Sequence, residues 1–101
     1  MAVKVLEQGE LQFPAGVMIV DYAAEWCGPC KVLMPILESL SNKYQNIEVM
    51  TVDISKNMDM AKKYRVSNIP CLVVFKNGKE VDRMVGFSGQ VPVEKLFIKH
   101  S

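Results

Sequence analysis

The chain has 101 residues, of which half are hydrophobic and 23% are charged. This length supports one hydrophobic core and hardly two, so a single domain over residues 1–101 is expected, and the composition excludes a disordered chain. The formal net charge of +1 gives no electrostatic reason to expect binding to nucleic acid or to an anionic membrane.

Two strands are the first predicted elements along the chain. Val3 to Leu6 is a weak strand candidate, and Gln8 to Gly16 contains two glycines and a proline, so any helix there must be short. Val17 to Ala23 is rich in β-branched apolar residues and is broken only by Asp21, which is typical of a strand buried on both faces.

The chain starts without the pattern of a secretory signal, which leads to the expectation of a cytoplasmic protein.

A helix with one apolar face is predicted next. Hydrophobic residues follow at steps of three and four from Val32 to Tyr44, and Pro35 inside the pattern predicts a kink. Ile47 to Ile54 is a second candidate for a buried strand, and a short helix is expected over Met58 to Tyr64.

The last third of the chain predicts a hairpin and a helix. Asn77-Gly78 lies between two strand-like runs, Leu72 to Lys76 and Lys79 to Val85, and both positions of such a tight turn favour positive φ. A final helix is expected to begin near Pro92. The order of elements predicts an α/β fold, with a central mixed sheet of four or five strands flanked by helices on both faces.

The segment Trp26-Cys27-Gly28-Pro29-Cys30 carries the candidate chemistry. Cys27 and Cys30 are three residues apart, about one helical turn, so their side chains can meet if the segment opens a helix. The free N–H groups and the dipole at a helix N-terminus favour a thiolate at Cys27. This arrangement predicts thiol–disulfide exchange, in which Cys27 attacks a disulfide of a partner and Cys30 resolves the mixed disulfide.

Other functions remain open at this point. A structural zinc site needs four ligands, and the only further candidates, Cys71 and His100, are isolated in the sequence. No metal and no bound cofactor are therefore expected, apart from the redox-active disulfide Cys27–Cys30. The alternatives are an oxidase or isomerase with a more oxidising pair, a non-catalytic binding module, and a metal or iron–sulfur carrier that uses Cys27, Cys30 and Cys71.

Three segments carry a family resemblance: Val20 to Lys31 around the cysteine pair, Ile69-Pro70 followed by Leu72 to Gly78, and Val85-Gly86. In these segments the chain resembles the thioredoxin family. The resemblance extends over most of the chain and is weakest in the first 16 residues. The resemblance implies a thioredoxin-like fold whose first helix is short or absent. It also implies a monomeric protein-disulfide reductase that donates electrons to reductive enzymes and is recharged by thioredoxin reductase.

The resemblance also assigns roles to residues outside the pair. Pro70 would be a cis-proline that faces the cysteines, and Asp21 would lie buried beneath Cys30, where a raised pKa lets it relay protons. The implied docking surface for disulfide-containing protein substrates consists of Trp26, Gly28, Pro29, Ile69, Pro70 and Gly86.

The chain departs from the family at two positions near this site. Cys71 stands where threonine is usual, so it is expected either as an accessory thiol near the active pair or as a small buried residue in place of threonine. Val49 is expected at the position where many bacterial members have a lysine near the buried aspartate.

Overall fold

The structure is a computed structural model, and it describes residues 3–101. Its elements in chain order are β1 (Val3–Leu6), β2 (Val17–Ala23), α1 (Gly28–Lys43), β3 (Ile47–Asp53), α2 (Met58–Lys63), β4 (Cys71–Lys76), β5 (Lys79–Val85) and α3 (Gln90–His100). No helix within residues 3–101 has the length and apolar character needed to cross a membrane.

The five strands form one mixed sheet in the order β1-β3-β2-β4-β5. β1 and β2 run parallel to β3, whereas β4 runs antiparallel to β2 and to β5. β2 therefore lies in the middle of the sheet, where a continuous apolar run is satisfied by burial on both sides. The expected mixed sheet of four or five strands is confirmed.

Helices cover both faces of the sheet. On one face, here called the α1 face, the apolar sides of α1 and α3 pack on Ile19 and Leu72. On the other, the α2 face, Met60 of α2 and Leu11 of the N-terminal segment pack on Tyr22 and its neighbours. Because successive side chains of a strand point to opposite faces, Asp21 belongs to the α1 face and Tyr22 to the α2 face.

No helix occurs between β1 and β2, which agrees with the expected short or absent first helix. The segment contains Gly9 and Gly16, whose φ angles of 108° and 95° are incompatible with a continuing α-helix. The hairpin at Asn77-Gly78 is present, with φ angles of 51° and 83°. Asn77 also exchanges two hydrogen bonds with Gly16, of 2.7 and 2.8 Å, which hold the β2 entry loop against the turn.

The C-terminal helix begins two residues earlier than the position of Pro92 suggested. α3 begins at Gln90, directly after Gly89 with its φ of 105°. Pro92 is the third residue of the helix, where a missing N–H has no consequence because the first-turn N–H groups lack intrahelical partners. The end of α3 is tied to β5, since Asp82 Oδ2 lies 2.8 Å from His100 Nε2 and 3.1 Å from Lys99 Nζ.

The Asp82 contacts predict an acid-dependent contribution to stability. The hydrogen bond with His100 is the main cause that lowers the pKa of Asp82 to about 2. A depressed carboxyl pKa stabilises the fold above its ordinary value of 3.8, and that contribution is lost as the pH falls towards 2. Asp82→Asn is expected to lower the melting temperature at neutral pH by roughly 2–4 °C, as for a partly exposed ion pair.

Circular dichroism melting curves across the acidic range measure this effect. The difference between Asp82→Asn and the wild type should shrink as the pH approaches 2. Glu10→Gln is the control, because Glu10 is an exposed carboxylate with no hydrogen bond or ion pair among residues 3–101. Equal melting temperatures for Asp82→Asn and the wild type at neutral pH would show that the contacts contribute nothing.

Candidate active site

The first turn of α1 holds the cysteine pair. Cys27 is the N-cap, with extended φ and ψ of −95° and 107°, and its Sγ accepts a hydrogen bond of 3.3 Å from the N–H of Cys30. Gly28 and Pro29 follow as the first helical residues, where proline fits because its N–H is not needed. The N–H of Cys30, at the start of the helix, thus points towards the sulfur of Cys27.

A disulfide joins Cys27 and Cys30, whose Cα atoms are 5.3 Å apart. The expectation that one helical turn brings the two sulfurs together is confirmed. Both residues are buried in this oxidised form, with 6% and 4% of their surface exposed. The two bonded cysteines are buried to a similar extent because they pack against Ala24 and Ile69.

The residues expected on the docking surface differ in exposure. Trp26 is 73% exposed, and Gly28 and Pro29 are exposed beside it. Ile69 is half-buried against the cysteine pair.

Pro70 is buried, so its ring is not part of the exposed surface. The Ile69–Pro70 bond is cis, as the family resemblance implied. The main-chain oxygen of Pro70 accepts a hydrogen bond of 2.8 Å from the N–H of Gly86, which places the half-buried Gly86 next to this segment. Gly86 has a φ of 85°, a conformation that favours glycine.

Asp21 is completely buried in β2 on the α1 face. Its Oδ2 accepts a hydrogen bond of 3.3 Å from the hydroxyl of Thr51, and its Oδ1 has no partner among the described residues. Burial raises the pKa of Asp21 from 3.8 to about 7, an effect that the Thr51 hydrogen bond partly offsets. This carboxyl therefore gains and loses its proton near neutral pH.

The neighbour of Asp21 on β3 is Thr51 and not Val49. The register pairs Asp21 with Thr51, whereas Val49 pairs with Ile19 and Val3 and is buried in the apolar core. The expectation for Val49 is therefore wrong, because it depended on a strand register that the sequence does not specify. Thr51 was not predicted, and its only signal was a hydroxyl side chain in a buried strand.

Cys71 is a buried residue of the α2-face core. It is 1% exposed and packs with Val20, Tyr22 and Val73, apart from the cluster that holds Cys27 and Cys30. Burial raises the pKa of the Cys71 thiol, which favours the unreactive protonated form. Within residues 3–101, no group of three or more His, Cys, Asp or Glu side chains is arranged to hold a metal ion.

An open cavity of about 440 Å³ lies between the first turns of α1 and the ends of β2 and β3. Cys30 and Thr51 both line it, and Thr51 contacts Asp21, so the carboxyl lies just behind the cavity wall. A second cavity of about 480 Å³ lies between residues 8–13 and α2 and includes neither cysteine of the pair.

Comparison with known proteins places this site in context. The family model described as Thioredoxin matches residues 7–98. The thioredoxin of Chlamydia trachomatis is 44% identical over 86 residues, which cover 85% of this chain and 84% of that protein. The thioredoxin of Staphylococcus aureus is 41% identical over 87 residues, with the same coverage of the two chains.

Solved structures show the same similarity in three dimensions. The X-ray structure of Fasciola hepatica thioredoxin superimposes with a TM-score of 0.81 and 34% identity, covering 86% of this chain and 83% of that one. Plasmodium falciparum thioredoxin gives a TM-score of 0.82 and 32% identity, with coverage of 86% and 84%.

Because the pKa of Asp21 is raised, replacing this residue is expected to stabilise the fold by an amount that depends on pH. In the unfolded chain this carboxyl ionises near 3.8, but in the fold it ionises near 7. The wild type therefore loses stability as the pH rises through this window. Asp21→Asn is expected to increase the free energy of unfolding at pH above about 7 by up to a few kcal/mol, and the gain should fade towards pH 4.

Urea denaturation at several pH values measures this gain. Asp53→Asn is the control, because hydrogen bonds from Ser55 lower the pKa of Asp53 and its substitution should have the opposite sign. A gain for Asp21→Asn that does not vary between acidic and neutral pH would contradict the assignment of a carboxyl that titrates near neutrality.

Proposed function

The chain belongs to the thioredoxin family and is a thiol–disulfide oxidoreductase, and from this premise we propose that it reduces protein disulfides with Cys27 as nucleophile and Cys30 as resolving thiol. The observation that carries the assignment is the position of Cys27 at the N-cap of α1, where its Sγ accepts the N–H of Cys30. The same N–H and the helix dipole stabilise negative charge on this sulfur in the dithiol form.

The proposed reaction consists of two exchanges. The Cys27 thiolate attacks one sulfur of the partner's disulfide, the partner's S–S bond breaks, and its other sulfur leaves as a thiolate. Cys30 then loses its proton and attacks the Cys27 sulfur, which releases the second sulfur of the partner and forms the Cys27–Cys30 disulfide. Two electrons pass from the chain to the partner, and each released thiolate takes up a proton.

Asp21 is the proposed proton carrier for Cys30. It lies on the α1 face of the sheet, and its hydrogen-bond partner Thr51 lines the same cavity as Cys30. A pKa of about 7 is suited to this task, because a general base is most effective when it titrates near the working pH.

The proposed docking surface consists of Trp26, Gly28 and Pro29 on one side of the pair and of Ile69 and Gly86 on the other. Among residues 3–101, the N–H and C=O of Ile69 have no main-chain partner, so an extended substrate strand can pair with them. Pro70 supports this segment through its main-chain bond to Gly86 and is not itself a contact surface.

A reductase cycle also requires re-reduction of the Cys27–Cys30 disulfide. We propose that thioredoxin reductase supplies these electrons from NADPH, that disulfide-containing proteins are the substrates, and that the disulfide is the only redox group. Residues 1–101 act in this proposal as one monomeric thioredoxin domain in the cytoplasm. The family of the curated relatives supports it.

NADPH-dependent insulin reduction with added thioredoxin reductase is the direct test of class and direction. The wild type is expected to reduce insulin, and Asp21→Asn to do so roughly tenfold to a hundredfold more slowly, because Cys30 then lacks its base. Rates for Asp21→Asn that equal the wild type from about pH 6 to pH 9 would remove Asp21 from the mechanism.

The roles of the two cysteines predict an asymmetry in trapping. Cys30→Ser should accumulate stable mixed disulfides with protein substrates, because the second exchange cannot occur, whereas Cys27→Ser should accumulate few. Non-reducing gels of each variant incubated with oxidised insulin measure the adducts. Cys71→Ser is the control and should behave as the wild type, since Cys71 lies in the α2-face core. Equal adducts from Cys27→Ser and Cys30→Ser would reverse or remove the assigned roles.

A further inference from the structure

Thr51 makes two contacts with the same residue. Its hydroxyl oxygen lies 3.3 Å from Asp21 Oδ2 and 3.3 Å from the main-chain oxygen of Asp21. Both residues are buried, with no exposed surface on Asp21 and 9% on Thr51. Among residues 3–101, this hydroxyl is the only hydrogen-bond partner of the Asp21 carboxyl.

The two contacts suit the two protonation states of Asp21. A hydroxyl has one proton to donate and can accept as well. When Asp21 is ionised, the Thr51 hydroxyl donates to Oδ2. When Asp21 is protonated on Oδ2, the acid donates to Thr51 Oγ1, and the hydroxyl proton turns to the main-chain oxygen of Asp21. Every donor of the pair therefore has an acceptor in both states, which matters because an unpaired buried polar group is costly.

We propose that Thr51 is a positioning residue for the redox reaction, whose hydroxyl rotates between the carboxyl and the main-chain oxygen of Asp21 as that residue gains and loses its proton. The inference rests on the proposed function, in which Asp21 carries the proton of Cys30. Its consequence is that Oδ2, the oxygen that gains and loses the proton, stays hydrogen-bonded to Thr51 in both protonation states, so the carboxyl keeps one orientation.

Several titratable groups lie near Asp21, but among residues 3–101 none of them makes a hydrogen bond with its carboxyl. The other titratable groups near it are Cys30 on α1, Cys71 on β4 and, around the cavity, Glu25, Lys31 and Asp53. Lys31 and Glu25 are exposed, and Asp53 is engaged with Ser55. The pKa of Asp21 therefore responds to burial and to the Thr51 hydrogen bond.

The test compares Thr51→Val with Thr51→Ser. Valine keeps the shape of threonine without the hydroxyl, and serine keeps the hydroxyl without the methyl group. The measurement is the pH titration of the ¹³Cγ signal of Asp21 by NMR in the full chain, together with the pH profile of insulin reduction. Thr51→Val is expected to weaken the acid dissociation of Asp21 about tenfold, the effect of losing one hydrogen bond to a carboxylate, and to move the pH profile with it.

Thr51→Ser is expected to titrate as the wild type. A wild-type titration in Thr51→Val would overturn the inference, and so would an equal shift in Thr51→Ser, which would indicate packing as the cause. If Thr51→Val does not fold, Thr51→Ala takes its place with the same expected shift. A shifted titration in Thr51→Val combined with normal kinetics of Asp21→Asn would overturn the proton-carrier role of Asp21 and support the hydrogen-bond assignment to Thr51.

Discussion

The hydrogen bond from the N–H of Cys30 to Cys27 Sγ depends on a helix that begins at Gly28, between the two cysteines. That helix is fixed by its apolar face, where Leu33, Leu37 and Leu40 are almost completely buried on the sheet. Each such side chain contributes roughly 1.5–3 kcal/mol by burial. The energy that holds the reactive sulfur in place therefore comes from the core, several residues away from the sulfur itself.

The same core bears the cost of Asp21. A carboxyl with no exposed surface and a single hydrogen bond destabilises the fold when it is ionised. That cost raises the pKa of Asp21 to about 7. The same burial therefore weakens the fold and suits Asp21 to the proposed proton transfer. The apolar packing of α1 and α3 must offset it, which explains how a chain of this size can retain a charge in its central strand.

Local patterns in the sequence were sufficient to predict the secondary-structure elements and the cysteine pair. The apolar run of β2, the spacing along α1 and the Asn77-Gly78 turn each express a local preference, and the structure follows them. The partner of Asp21 could not be predicted in this way, because the register between β2 and β3 depends on how two distant strands meet. A shift of two residues separates the expected Val49 from the observed Thr51. The burial of Pro70 likewise depends on packing between distant segments.

The alternation of side chains along β2 places the buried acid Asp21 and the third thiol, Cys71, on opposite faces of the sheet. Asp21 and Tyr22 are neighbours in β2, yet Asp21 faces the α1 side with Thr51, and Tyr22 faces the α2 side with Cys71. A third thiol in the sheet thus adds to the core without joining the cluster of the redox pair. Thr51 is a neutral donor, so it stabilises the carboxylate through one directed hydrogen bond and not through the long-range field of a charge. In this chain burial raises the pKa of the buried acid, and the hydrogen bond from Thr51 Oγ1 limits that rise.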